Sequence, residues 1–275
     1  MGSDLGESAQ GTKPVNAKWL AELWRFRELV YFLAWRDVKV RYKQAALGAA
    51  WAVLQPLLTM IVFTLFFGNL AGIPSNGVPY PLFSYSALLL WTYFAGVLGQ
   101  GGQSLVSNSN LITKVYFPRV ALPASTALSG LLDFIIGLGF LAIMMAYYGI
   151  QPGWSLLLAP VFLLGLVLFV LGVSMFLAAM NVWYRDIKYA APFLIQICLF
   201  VTPVIYPTTF LPERLQALMA FNPLAGIIEG FRACLFSGKS LDPALTAMSL
   251  TMTVVVFLAG LTYFRRTERV FADVI

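Results

Sequence analysis

Four cations, Arg36, Lys39, Arg41 and Lys43, stand in the stretch 35–48, directly ahead of a run, 49–68, that carries no charge. Basic residues flanking a first membrane span stay on the cytoplasmic side and set the orientation of the later spans, with anionic lipid or an anionic substrate as their natural partners. Other reactive groups are scarce. Asp133 is the one ionisable residue well inside a predicted span, and an intramembrane carboxylate is a functional position by default. With no basic partner at matching depth it makes a poor proton relay. It reads as helix-packing glue or a water-facing channel residue, neutral or paired to a polar group such as Gln196. The chain has no His, which excludes His-based catalysis and His–metal sites. Cys198 and Cys234 sit in apolar surroundings without ligand partners and read as small core residues. No G-x-x-x-x-G-K-[ST] run is present, so the chain cannot hold ATP by a P-loop. No catalytic triad or metal cluster is legible, and the expectation is a protein that is not itself an enzyme.

The elements that must position these groups are membrane helices. The chain is 60% hydrophobic and 11% charged, whereas a soluble domain carries roughly 25% charged residues; too few are left to build a water-facing surface. The net charge of +6 could suggest nucleic acid, but its placement argues otherwise. Arg214, Arg232 and Lys239 fall in one long outer segment, and the remaining Lys and Arg fall in segments assigned to the cytoplasm, the positive-inside pattern.

The sequence predicts an all-α membrane protein with six spans, at about 49–68, 82–101, 120–148, 154–180, 190–206 and 241–264, with both termini cytoplasmic. Residues 1–18 read as a disordered tail. Residues 19–44 read as an amphipathic helix on the inner membrane surface, because Trp19, Leu23, Phe26, Val30 and Leu33 fall within a stripe roughly 80° wide. Residues 45–275 form the transmembrane domain. Between the fifth and sixth spans, 208–236 holds two apolar pieces bounded by Pro207, Pro212 and Pro223. Each reaches only about 20 Å, too short to cross, so a re-entrant hairpin in the outer leaflet fits best. Within it, Glu229 and Arg232 are three apart and can pair on one helix face.

The run Trp35-Arg36-Asp37-x-Lys39-Val40-Arg41-Tyr42-Lys43-Gln44-x-x-Leu47-Gly48-x-x-Trp51-x-x-Leu54-x-Pro56 resembles the N-terminal signature of the ABC-2 type permeases that export polysaccharides. The resemblance continues in Asn110-Leu111-Ile112-x-Lys114-x-x-Phe117-Pro118-Arg119 and Asn181-Val182-x-Tyr184-Arg185-Asp186-Ile187. It recurs in Pro203-Val204-Ile205-Tyr206-Pro207, Asn222-Pro223-Leu224 and Gly230-Phe231-Arg232. The ordered set covers nearly the whole chain from about residue 20, and its small outer loops fit the O-antigen exporters, with capsule and wall teichoic acid exporters as near relatives.

That resemblance implies a half-transporter of the bacterial inner membrane. Two copies of the chain would form the pore and two separate ATPase subunits would carry ATP and Mg, leaving no cofactor in this chain. The cargo would be a glycan linked through pyrophosphate to a polyprenyl lipid. Arg36, Lys39, Arg41 and Lys43 would meet the pyrophosphate at the inner mouth by charge-assisted hydrogen bonds, or serve as orientation anchors at lipid headgroups. Asn110, Lys114, Phe117, Pro118 and Arg119 on one inner loop, and Arg185 and Asp186 on the next, would contact the ATPase. Pro203, Tyr206, Pro207, Glu229 and Arg232 would belong to the outer gate. Among 22 Phe, 12 Tyr and 7 Trp, most near span ends read as interfacial belt residues, while Phe63, Phe67, Tyr93 and Phe200, with Asp133, are the candidates for the channel wall. A membrane-embedded sugar transferase would need clustered catalytic residues, and an ion-coupled transporter more buried charge or related halves.

Overall fold

The computed structural model describes residues 24–43, 47–236, 241–268 and 271. The predicted tail 1–18, the opening of the 19–44 helix and Arg269 lie outside them. Among the described residues there are helices and connecting turns but no strands, as hydrocarbon demands of a chain that must satisfy its own backbone.

Helix α1 (Arg27–Lys43) precedes the first span and packs along α6. It buries Leu33, Ala34 and Val38 and leaves Tyr31, Phe32 and Val40 exposed. A 3-10 turn (Gly48–Ala50) leads into α2 (Trp51–Phe63), which relaxes into a π-helical end (Thr64–Leu70). The next elements are α3 (Tyr80–Gly101), two short helices α4 (Ser104–Ser107) and α5 (Ser109–Lys114), and α6 (Ala121–Tyr147). After a 3-10 turn (Trp154–Leu158) come α7 (Ala159–Trp183) and α8 (Ile187–Val201). The chain closes with α9 (Glu213–Met219), α10 (Pro223–Leu235) and α11 (Pro243–Thr267). Helix starts follow the local chemistry: Asp242 accepts from the amides of Ala244 and Leu245, and Asn222 from that of Leu224, each followed by a proline at the first helical position.

Among the described residues five helical segments are long and apolar enough to cross a membrane, so the chain is a multi-pass membrane protein. The predicted fifth span is shorter than expected. Its helix stops at Val201 rather than 206 because Thr202 precedes Pro203 and is extended, at φ −90° and ψ 143°. At about 1.5 Å per residue α8 reaches only about 22 Å and is not among those five; the residues 202–206 that follow are non-helical, with Val204 and Ile205 buried in protein. Helices α9 and α10 meet at 98°, a sharply bent pair where the hairpin is predicted. Cys234 is buried, but Cys198 is exposed on α8, so only one of the two is a core residue.

The tightest crossing joins α7 and α11. A Cβ on Gly260 would lie 2.1 Å from the carbonyl oxygen of Gly172, and one on Gly172 would lie 2.6 Å from the Phe257 Cα. Backbones touch there without side chains between them, the arrangement small residues permit in membranes, where lipid supplies no hydrophobic push. The buried cores divide by level. One gathers α3, the middle of α6 and α7, and the hairpin around Phe83, Tyr85, Phe162 and Phe231. The other gathers Leu33 of α1, Leu105, Phe117, Phe264 and Phe271 at the α1 end.

Candidate functional site

A cavity of about 650 Å³ is walled by α2, α3 and α6, floored by the C-terminal end of α1, and touched by Leu199 of α8. Arg41, Tyr42, Gln100 and Asp133 all line it, with Gln100 and Asp133 lying 59 and 92 residues from Arg41 in sequence. Arg41 donates through Nη1 to Asp133 Oδ2 and through Nη2 to Gln100 Oε1, the latter at 2.8 Å. The Tyr42 hydroxyl donates to the other oxygen, Asp133 Oδ1. The side chains of Arg41 and Asp133 keep 27% and 28% of their surface open, so the pair faces the cavity rather than a sealed core. Burial, and then the neighbouring Asp133 carboxylate, push the Tyr42 phenol up to about 12, so it remains a protonated donor at neutral pH.

This corrects the sequence reading of Asp133. The carboxylate has a basic partner, Arg41, and a phenol beside it; Gln196 is exposed on α8 and does not pair with it. The mistake has a physical cause: span arithmetic places Arg41 outside the membrane and Asp133 near mid-span, but α1 packs along α6 and delivers its last turn inward. Tyr42 and Gln100 were missed for the same reason, since no local spacing announces a contact across 91 or 59 residues.

The other cations of the 35–48 run are placed differently. Arg36 is held by its neighbour Asp37 at 2.8 Å. Lys39 lies over the Trp35 ring at 5.6 Å, and both Lys39 and Lys43 are exposed. Of the aromatic candidates, Tyr93 lines the cavity and donates to the Ala127 carbonyl at 3.2 Å. Phe63 is buried edge-to-face against Phe67 at 5.5 Å, and Phe200 is exposed on α8; none of these three lines the cavity.

Two turns lie side by side at the α1 end. The first holds α4, α5 and the 115–120 turn, with Asn110 and Lys114 exposed, Phe117 buried, Pro118 partly exposed, and Arg119 over the Phe271 ring at 6.0 Å. The second, 184–186, exposes Arg185 and Asp186. They are tied by Asn181, which is buried and donates to the Gly102 carbonyl at 3.1 Å. Tyr116, fully exposed at 97%, projects from the first turn.

At the opposite end, Arg232 has no exposed surface. It donates to Glu229 at 3.1 Å, to the carbonyls of Pro203, Val204 and Phe83 at 2.8, 2.9 and 3.1 Å, and lies over the Phe83 ring. Glu229 also accepts from the Thr208 amide at 3.4 Å. Tyr206 donates back to the Phe200 carbonyl at 3.0 Å, and Pro207 opens the 3-10 turn 208–210. The residues read as a gate therefore converge: Pro203, Glu229 and Arg232 form one polar knot inside an apolar core.

The sequence profile of the family described as ABC-2 type transporter matches residues 28–236. The chain is 31% identical over 255 residues to the O-antigen export system permease protein RfbA of Myxococcus xanthus, covering 92% of this chain and 97% of that one. It is 27% identical over 249 residues to the protein of the same name from Klebsiella pneumoniae, covering 90% and 95%. To the polysialic acid transport protein KpsM of Escherichia coli it is 20% identical over 247 residues, covering 85% and 91%.

Proposed function

The chain belongs to the ABC-2 type transporter family, and on that premise we propose that it is the membrane permease of an ABC exporter that carries a polyprenyl-pyrophosphate-linked polysaccharide, of the O-antigen kind, out of the cytoplasm. The relatives' names, O-antigen export permease and polysialic acid transport protein, support the cargo class. The observation that carries the reading is the cavity: a chamber of about 650 Å³ with a guanidinium at its floor and aromatic and small side chains above it. Arg41 is suited to a phosphate-bearing headgroup, because its planar fork bonds two oxygens at once, and the chamber walls suit sugar and isoprenoid.

In this reading the α1 end faces the cytoplasm, with both termini, in the bacterial inner membrane. Two copies of the chain form the pore and two separate ATPase subunits bind ATP and Mg and dock on the paired turns at 104–119 and 184–186. ATP-driven movement of those turns is passed to α3 and α7 through the Asn181–Gly102 bond. The headgroup enters beside Arg36, Lys39 and Lys43, settles against Arg41, and the glycan follows past the Arg232 knot. Deleting the gene and restoring it on a plasmid tests this. Surface polysaccharide should vanish and return, with lipid-linked glycan accumulating inside the deleted strain; unchanged surface polysaccharide would contradict the reading.

A further inference from the structure

Among the ionisable side chains at the cavity wall, Arg41 and Asp133 stand as one cation against one anion, with phenols beside them. With the pair closed the wall carries no net charge. An anion that enters meets Arg41 already occupied and a carboxylate facing it. The Arg41 fork is nonetheless split between unequal acceptors, a charged one at Nη1 and a neutral amide at Nη2. Tyr42 spends its one proton on the same carboxylate. A single departure, that of Asp133, would therefore release the Nη1 side of the charged fork and a phenol donor together, on a wall that a ligand can reach, leaving only a neutral amide on Nη2.

We propose that Asp133 is a specificity-determining residue: it is the resident anion of the headgroup site, and only a headgroup more highly charged than one carboxylate displaces it from Arg41 and Tyr42. The inference rests on the reading of Arg41 as a headgroup ligand. Its physical logic is competition. Asp133 is tethered, so it holds Arg41 at high effective concentration against any singly charged rival. The phosphodiesters of the surrounding anionic phospholipids carry one charge each and bring no advantage over it. A diphosphate brings at least two charges and more acceptor oxygens, enough for Nη1, Nη2 and the Tyr42 hydroxyl at once. Asp133 thus keeps bulk lipid out of a site that must bind a lipid.

The test uses the full chain in nanodiscs of phosphatidylcholine, with and without phosphatidylglycerol, and calorimetric titration with farnesyl pyrophosphate and with inorganic pyrophosphate. In phosphatidylcholine, Asp133→Asn and Asp133→Ser should bind farnesyl pyrophosphate about tenfold tighter than the unaltered chain, the scale of one charge-assisted bond no longer contested. Adding phosphatidylglycerol should weaken the two variants far more than the unaltered chain, because the phosphodiester now reaches Arg41. Binding by the variants that matches the unaltered chain in both disc types, while Arg41→Ala still loses the ligand, would overturn the role of Asp133 and leave the headgroup reading standing. Binding unchanged in Arg41→Ala would overturn the headgroup reading itself. Failure of both Asp133 variants to fold would make the carboxylate an obligatory structural counter-ion and overturn the exchange. Tighter binding of the farnesylated form assigns the site to a lipid head; equal affinity for inorganic pyrophosphate overturns that source.

Discussion

The guanidinium carbon of Arg232 lies 3.5 Å from the centroid of the Phe83 ring, which fastens α10 to α3 from inside an apolar core. The same side chain holds the Pro203 and Val204 carbonyls of the non-helical segment that follows the end of α8 at Val201. A buried charge is tolerated when it is paired, as the Nη1 and Nη2 groups of Arg232 are, although its buried Nε has no partner among the described residues; removing one partner strands the others.

Arg232→Ala should therefore cost about 3–5 kcal/mol, the range for breaking a buried charged network. Arg232→Lys should recover only part, since an ammonium cannot reach three carbonyls and a carboxylate as a planar fork does. Thermal unfolding of the purified chain in detergent measures both. A Glu229→Gln change should cost less, because Arg232 keeps its carbonyl acceptors.

Substitution at the α7–α11 crossing should be worse than its small volume suggests. Gly260→Ala sets a methyl 2.1 Å from a backbone oxygen, and backbone cannot step aside as a side-chain tip can. A cost of about 3 kcal/mol or more is expected, read as lost yield of folded protein in the membrane. Gly139→Ala, where nothing lies within 4 Å, is the control and should leave yield unchanged.

At the cation-rich end the four basic residues should separate in their effects. Arg41→Ala removes a cavity donor and should lower export by roughly tenfold or more, the worth of a hydrogen bond to a charged group, without lowering the amount of assembled complex. Arg36→Ala should lower it less, because Arg36 is already paired with Asp37 and 40% exposed, and exposed pairs contribute little. Surface polysaccharide measured at equal protein level distinguishes the two; equal loss would place both residues on the headgroup.

The paired turns predict a different defect. Arg119→Ala and Asp186→Ala should leave the permease folded yet reduce transport-coupled ATP hydrolysis. Tyr116→Ala should act likewise, since a ring exposed at 97% on a turn serves packing with nothing in this chain. Normal ATP hydrolysis and normal recovery of the ATPase subunit in all of them would remove these turns from the coupling surface.

Much of the fold was legible in the sequence because hydrocarbon permits so few solutions. Span limits read from hydropathy and Pro or Gly breaks fall within a few residues of α3, α6 and α11, and the break into two short helices between α8 and α11 followed from Pro212 and Pro223. The end of α8 was missed because residues 202–206 are as apolar as a helix, although Pro203 carried the signal. The cluster at Asp133 was not legible. Its residues come from α1, α3 and α6, and only tertiary packing brings Arg41 beside the carboxylate in the middle of α6. Arg232 was correctly paired with Glu229 by spacing, but its burial depends on carbonyls freed elsewhere in the chain.

The most direct measurement is to purify the tagged chain from its native genomic context and assay ATP hydrolysis in the material that accompanies it. The half-transporter account predicts a stoichiometric ATP-hydrolysing partner whose activity falls with Arg119→Ala. A chain that purifies alone, without ATPase activity across several detergents, would contradict it.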